Sequence, residues 1–422
     1  MRCHTDDMRT LPTKKVLLLA ALVVSFTSGC SLLDGAPGSW GGKKNESKEP
    51  VVPAIPDPVP THRFDIDATT DIVGVVQKTQ ASKEDTLTDI ARRFNVGYEE
   101  IVRANPGVDP WVPGEGREIV IPSQFILPNA PREGIVINAA AMRLFYYPKV
   151  KKGEQQVVHT YPIGIGKVGW KTPEGSTTLV RRKKDPEWRP TASIIREHLK
   201  ERGEKLEAVV KAGPDNPLGR HAFYLGWPTY MIHGTNKPAG VGLRSSHGCI
   251  RLYPEDIAQL FELAPIGTKV SVVNQPYVFG WHDGALHIQA FDVLEDDKRD
   301  WKKAQAKLLN KAMAERIKTE LAARKEKIDW EAVAKLSEEP RGIPVSVTGG
   351  PDQLDAIVAS AAIVQNKVAP GATWDGLSDL PVDEATFQEL VQDREPSVES
   401  AEAAAAPMAP PSGKPSTKPS TN

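Results

Sequence analysis

Apolar and polar positions change period several times along the chain, and each change marks an element. Residues 16–26 are an apolar run of 11 residues, interrupted only by Ser25, behind Arg2, Arg9, Lys14 and Lys15. That is too short to cross a ~30 Å hydrocarbon core as a helix, so it predicts a cleaved export signal over residues 1–30. Residues 73–77 are a short β-type run, and Leu87, Ile90, Ala91 and Phe94 then recur at helical spacing. Thr86 and Asp89 at their head have the spacing of a capping box. A second helix is predicted over 98–105, Asn105-Pro106-Gly107 breaks it, and 117–122 supplies a closing strand. Residues 73–122 therefore read as a small β-α-α-β unit.

Pro128-Asn129-Ala130-Pro131 reads as a hinge. Beyond it, 134–138, 144–147 and 157–164 read as strands separated by Gly, Pro and Lys clusters. One helix is predicted in this unit, over 254–263, with Glu255 and Asp256 in its first turn where they complement the dipole. A strand over 269–273 closes it, so 134–273 is expected to be a mainly β domain with minor helix. Residues 286–294 alternate like a strand, and 297–336 read as one long charged helix with Trp301, Leu308, Leu309, Ala312, Ile317 and Leu321 as its apolar stripe. The region 280–395 is accordingly expected to be a partly helical extension, and 396–422, dominated by Ala, Pro, Ser and Lys, a disordered tail.

Length and composition refine this division. The 422 residues suffice for two or three domains, and 53 Lys+Arg against 54 Asp+Glu leave a net charge of −1. There is no global basic field, and no nucleic-acid partner is expected. Pro50, Pro53, Pro56, Pro58 and Pro60 mark residues 31–72 as an extended tether. Three cysteines cannot build a disulfide scaffold. Thr27, Ser28 and Gly29 before Cys30 resemble the lipobox of bacterial lipoproteins. That resemblance implies lipidation at Cys30, a lipid anchor in the membrane and, with Ser31 next, a periplasmic location at the inner leaflet of the outer membrane. Cys3 would leave with the signal, so Cys249 would be the one remaining thiol.

The segment IHGTNKPAGVGLRSSHGCIRL, residues 232–252, concentrates the reactive side chains. A thiol of pKa near 8.5 needs a base to take its proton or a cation to hold its thiolate before it attacks a carbonyl, and imidazole serves both purposes. His233 lies 16 residues before Cys249 with four glycines between them, enough chain to leave one strand and return across a cleft. His247 shares a face with Cys249 in an extended segment. The backbone N–H groups of Gly248 and Cys249 are candidate oxyanion donors, and Arg251 can pair with a carboxylate. Two other chemistries fit the same residues: His233, His247 and Cys249 as zinc ligands, or Ser245 or Ser246 as a hydrolase nucleophile.

HGT, a Gly-rich spacer and SSHGCIR resemble the signature of the L,D-transpeptidase catalytic domain, the YkuD domain. LPNAPREGIVIN, RLFYYP, YPIGIGKVGWKTPEG, AGPDNPLGRHAFYLG and LYPEDIAQLFELAPIGTKVSVV extend the likeness to the Gram-negative ErfK/YbiS/YcfS/YnhG type. DTLTDIARRFNV, RANPG and GREIVIP resemble a LysM module. The resemblance implies a β-sandwich-like catalytic domain with its cleft beneath a capping hairpin, and a LysM domain that binds peptidoglycan glycan. It implies Cys249 as acylated nucleophile and His233 as general base, oriented by the Gly234 carbonyl. Ser246, His247, Gly248 and Arg251 would shape the pocket. The implied reaction moves an acyl group from a tetrapeptide stem to an amine, either diaminopimelate or a lysine of an outer-membrane lipoprotein, with no metal or cofactor. A hydrolase of the same fold and a non-catalytic peptidoglycan-binding lipoprotein are the alternatives.

Overall fold

The computed structural model describes residues 55–301, 311–348 and 354–367. The export signal, Cys30, most of the tether and the tail over 396–422 lie outside the described residues.

The central feature is a nine-stranded mixed sheet. In spatial order its strands are Arg63–Ile66, Gln156–Pro162, Arg143–Tyr147, Gly134–Asn138, Lys269–Val273, Gly175–Lys184, His221–Leu225, Met231–His233 and Ile250–Arg251. The ten-residue strand Gly175–Lys184 pairs with Lys269–Val273 through its first half and with His221–Leu225 through its second, with a register shift between Leu179 and Arg181. A strand that changes partners at such an irregularity lets one sheet fold over on itself. The main core lies between the two halves: Ile135, Ile137, Leu144 and Tyr146 from one meet Phe223, Leu225, Ile232 and Ile250 from the other. This is the sandwich-like, mainly β architecture expected. The alternate residues Val136, Phe145 and Tyr147 point to the opposite face and bury a second core with Ile66, Val73 and Phe125. Residues 63–66, read from sequence as tether, are thus an edge strand whose Ile66 is buried; proline density around 50–60 masked a four-residue strand of mixed pattern.

Seven helices are described, α1 Leu87–Arg93, α2 Tyr98–Ala104, α3 Ala192–Arg202, α4 Pro254–Leu263, α5 Lys311–Arg324, α6 Trp330–Glu338 and α7 Leu354–Ser360. The capping box predicted at Thr86 is present: its hydroxyl accepts from the Asp89 N–H at 3.2 Å, and the Asp89 carboxylate accepts from the Thr86 N–H at 2.9 Å. α4 has the predicted limits, started by Pro254 and driven onto the core by Ile257, Leu260 and Phe261. α3 was not predicted. It has no buried residue, hence no apolar stripe to detect, and is defined by its ends: Thr191 as N-cap and Gly203 in the left-handed conformation. The long helix expected over 297–336 is not continuous. α5 stops at Arg324, Lys325 takes φ +60°, and Asp329 caps a new helix by accepting from the Ala332 N–H at 2.9 Å.

The extension is also more β than expected. Tyr277–His282 and Ala285–Ala290 form a hairpin around Asp283-Gly284, both at positive φ, and the pair shares a three-stranded sheet with Val345–Ser346. Ile317 and Leu336 pack on it. Ala362–Ile363 then pairs with Gln77–Lys78 and adds a third strand to the β-α-α-β unit. The Pro128–Pro131 segment is no free hinge, because the Asn129 N–H donates to the Gln275 side chain, which donates back to the Asn129 carbonyl at 3.0 Å each.

Candidate active site

Strand alternation builds the site. Met231–His233 and Ile250–Arg251 run parallel with Ile232 opposite Ile250 and His233 opposite Arg251. Ile232 and Ile250 both point into the main core, so Met231, His233, Cys249 and Arg251 face the other way. There they line a cleft of about 640 Å³ together with His247 and Tyr230.

His233 is 4% exposed, and its Nδ1 lies 2.6 Å from the Gly234 carbonyl. A carbonyl only accepts, so Nδ1 carries the proton and Nε2 is left as the base. Burial, reinforced by the Arg251 charge and opposed by the Gly234 carbonyl, lowers its pKa to about 3. Burial likewise pushes the half-buried Cys249 thiol up to about 11, with the Met231 backbone and Arg251 drawing it partly back. Both groups are therefore neutral at pH 7. The Cys249 Sγ donates to the Thr229 carbonyl at 3.6 Å, and Thr229 has φ +71°, rare for a β-branched residue.

The turn carrying the thiol is braced on several sides. The Ser246 hydroxyl donates to the Cys249 carbonyl at 2.6 Å and accepts from the Gly248 N–H at 3.1 Å. Ser246 is thus a structural clamp, with its hydroxyl committed on both sides. The same bond corrects an expectation from sequence: the Gly248 N–H serves the turn and is not a donor for an oxyanion. Gly248 has φ +99°, and a Cβ there would sit 2.7 Å from the Tyr230 ring, so only glycine fits. Its carbonyl accepts from the Thr172 hydroxyl at 3.0 Å. Ser245 accepts from Arg251 Nη1 at 3.1 Å. Arg251 Nε is buried with no hydrogen-bond partner, and burial lowers the guanidinium pKa. It is an unsatisfied donor in the wall of the cleft.

His247 turns to a carboxylate that sequence reasoning missed. Its Nε2 lies 2.7 Å from Glu197 Oε2, and the Trp170 ring packs edge-on at 4.8 Å. Glu197 also accepts from Lys167 Nζ at 2.8 Å and Trp170 Nε1 at 3.1 Å, and these donors, Lys167 foremost, hold its pKa below the usual carboxylate range. Glu197 comes from α3, so the undetected helix hid the partner. The Thr191 and Gly203 caps in the sequence were the available signal. With His247 engaged there, the zinc set of His233, His247 and Cys249 is not assembled; among the described residues no group of three or more His, Cys, Asp or Glu side chains has metal-holding geometry.

The L,D-transpeptidase catalytic domain model of the YkuD type matches residues 132–272, and the LysM domain model matches residues 82–122. The chain is 40% identical over 266 residues to a probable L,D-transpeptidase ErfK/SrfK of Salmonella typhimurium, covering 63% of this chain and 83% of that protein. It is 45% identical over 233 residues to a probable L,D-transpeptidase YcfS of Escherichia coli, covering 54% of this chain and 71% of that one. A probable L,D-transpeptidase YbiS of Escherichia coli is 48% identical over 210 residues, which covers 49% of this chain and 67% of the relative. With a thiol and a neutral imidazole on one wall of a cleft, in a chain that carries both domains, this protein belongs to the L,D-transpeptidase family, enzymes of peptidoglycan remodelling.

Proposed function

We propose that Cys249 is the acylated nucleophile and His233 its general base. The observation that carries this reading is that His233, on one of two paired parallel strands, and Cys249, immediately before the other, line the same cleft, with the Gly234 carbonyl fixing the tautomer that leaves Nε2 as acceptor. Because both groups start neutral, the thiol proton moves to His233 Nε2 as Sγ attacks the amide carbonyl between the third-position diaminopimelate and the terminal D-Ala of a tetrapeptide stem. The imidazolium then protonates the departing D-Ala amine, leaving a thioester. An acceptor amine attacks the thioester, His233 takes its proton, and the thiolate leaves and recovers that proton. The unsatisfied Arg251 Nε supports a role in pairing with a carboxylate of the stem. The LysM domain would supply the glycan contact.

The acceptor in this reading is a lysine of an outer-membrane lipoprotein. A lipid anchor at Cys30 and the stretch after it would hold the enzyme in the periplasm between outer membrane and wall, where that lysine and the stem peptides meet. Water competes for the thioester, so the cleft must favour the amine. Cys249→Ala should abolish the covalent adduct with a carbapenem, read by intact mass; a full-strength adduct on the variant overturns the assignment. For the acceptor, gene deletion should lower wall-bound lipoprotein after wall digestion. Unchanged lipoprotein with fewer diaminopimelate-diaminopimelate dimers would favour 3→3 cross-linking, and release of free tripeptide from purified stems without a new amide would favour hydrolysis. Normal membrane fractionation of Cys30→Ser would count against the anchor.

A further inference from the structure

The chain between His233 and Cys249 is held at its midpoint from outside the catalytic domain. The Tyr98 N–H donates to the Val241 carbonyl at 3.3 Å and the Glu99 N–H to the Gly242 carbonyl at 3.2 Å. Both donors belong to the first turn of α2 in the LysM domain, where backbone N–H groups have no partner within their own helix. The approach is close enough to require glycine on both sides. A Cβ on Gly97 would lie 2.8 Å from Gly242 Cα, and one on Gly242 would lie 2.1 Å from the Tyr98 nitrogen.

The surrounding contact is polar, buried and geometrically specific. Arg92 Nε and Nη2 of α1 each donate to the Glu255 carboxylate of α4 at 2.9 Å. Arg143, 1% exposed, donates from Nε and Nη2 to Glu100 at 2.7 and 2.8 Å and from Nη2 to the Asn95 carbonyl at 2.9 Å. The Tyr253 hydroxyl, two residues beyond Arg251, donates to the Val96 carbonyl at 3.2 Å. Ion pairs out of water tolerate little displacement, because a charge that loses its partner there is left uncompensated. An interface built this way has one register. The LysM domain is docked in a defined position against the segment that bears the candidate catalytic pair.

We propose that the LysM domain is a positioning element of the active site, in which Gly97, Tyr98 and Glu99 set the path of the loop over 234–248 and so the alignment of Cys249 with His233, apart from any contact with glycan. The inference rests on the assignment of Cys249 and His233 above. Its test uses the full chain and a soluble tetrapeptide donor without sugar, so that glycan binding cannot contribute. Tyr98→Pro removes the N–H that reaches Val241. Proline is well tolerated at the first position of a helix, and Gly97 already has the extended conformation, φ −88° and ψ 165°, that a residue before proline adopts. Tyr98→Ala keeps the N–H and controls for the lost ring. A second variant, Gly97→Ser, offers α2 a better N-cap while driving a Cβ against Gly242.

Relative to Tyr98→Ala and wild type respectively, each variant should lose about tenfold in kcat with KM changed less than twofold, as misalignment of reacting groups predicts. The fraction of thiol titrated by a carbapenem should stay the same. The proposal is overturned if the two variants turn the peptide over at control rates, or if kcat falls only in proportion to the titratable thiol, the signature of a purely structural defect. Cys249→Ala runs alongside: peptide turnover by that variant would refute the nucleophile assignment itself, a result separable from either outcome above.

Discussion

Cys249 and His233, the proposed nucleophile and base, both rest in their neutral forms. With the thiol near 11 and the imidazole near 3, both depart from their ordinary values toward neutrality, and burial is the leading cause in each. Raised acid and lowered base together mean that no thiolate-imidazolium pair forms between pH 4 and 9. Alkylation of Cys249 by a small neutral electrophile such as iodoacetamide should then rise about tenfold per pH unit from 7 to 10 without a plateau, following the thiolate fraction. A rate that levels off near pH 6 to 7 would demonstrate a preformed ion pair instead. Thr229 presents a second residue-level question. Its φ of +71° costs a β-branched residue about 1 kcal/mol or more, and its carbonyl receives the thiol hydrogen bond. Thr229→Gly should therefore raise the unfolding free energy by about 1 kcal/mol in a denaturant titration. Loss of stability would mean that the Thr229 side chain contributes more than its backbone strain costs.

Among the elements, α3 and α4 contrast sharply although they are of similar length. α4 buries eight of its ten residues, including Glu255 in the Arg92 ion pair, whereas α3 buries none. Local opening is least costly where little apolar surface is exposed by it. Amides of α3 should exchange with solvent at least 100-fold faster than those of α4. The carboxylate of Glu197 ties α3 to Lys167, Trp170 and His247, with side chains 22 to 30% exposed at the Lys167 and His247 contacts. A partly exposed pair contributes about 1 kcal/mol, so Glu197→Ala should speed α3 exchange about fivefold further. Unchanged exchange in that variant would show that the tie does not hold the helix. Because α3 residues Ser193 and Ile194 line the cleft, opening of this helix would reach the candidate site.

At the scale of the molecule, the LysM domain, the catalytic sheet and the extension share buried polar contacts. His159 is 1% exposed in the strand between the edge strand 63–66 and 143–147, and its pKa falls to about 4, first from burial and then from the Arg63 charge. A base whose folded pKa lies below its unfolded value of about 6.5 contributes stability above pH 6.5, and that stability is lost as pH falls toward 4. The difference amounts to about 3 kcal/mol for this one buried group. Thermal unfolding should thus shift downward between pH 6.5 and 4, and His159→Gln should flatten that part of the profile. A wild-type profile already flat there would contradict the assignment of a neutral buried imidazole.

How much of this was legible beforehand depends on the range of the interaction involved. The chain order alone placed the Thr86 capping box, the limits of α4 and the strands 134–138 and 269–273. Each rests on contacts within a few residues or on a hydrophobic period, which is information carried locally. The Gly248 N–H was misread because it is consumed by Ser246, a neighbour whose hydroxyl direction depends on the turn it closes. Glu197 escaped notice because α3 has caps but no buried face. The strand over 63–66, the return of Ala362–Ile363 to the LysM sheet and the Arg92–Glu255 and Arg143–Glu100 pairs join residues tens to hundreds of positions apart. No periodicity in one segment specifies its partner in another. The local elements and the concentration of thiol and imidazole in one segment were therefore legible in the sequence, whereas the contacts that surround that segment, including the docking of the LysM domain against the loop over 234–248, were decided only by the tertiary structure, because complementary surfaces and paired buried charges exist only once distant segments meet.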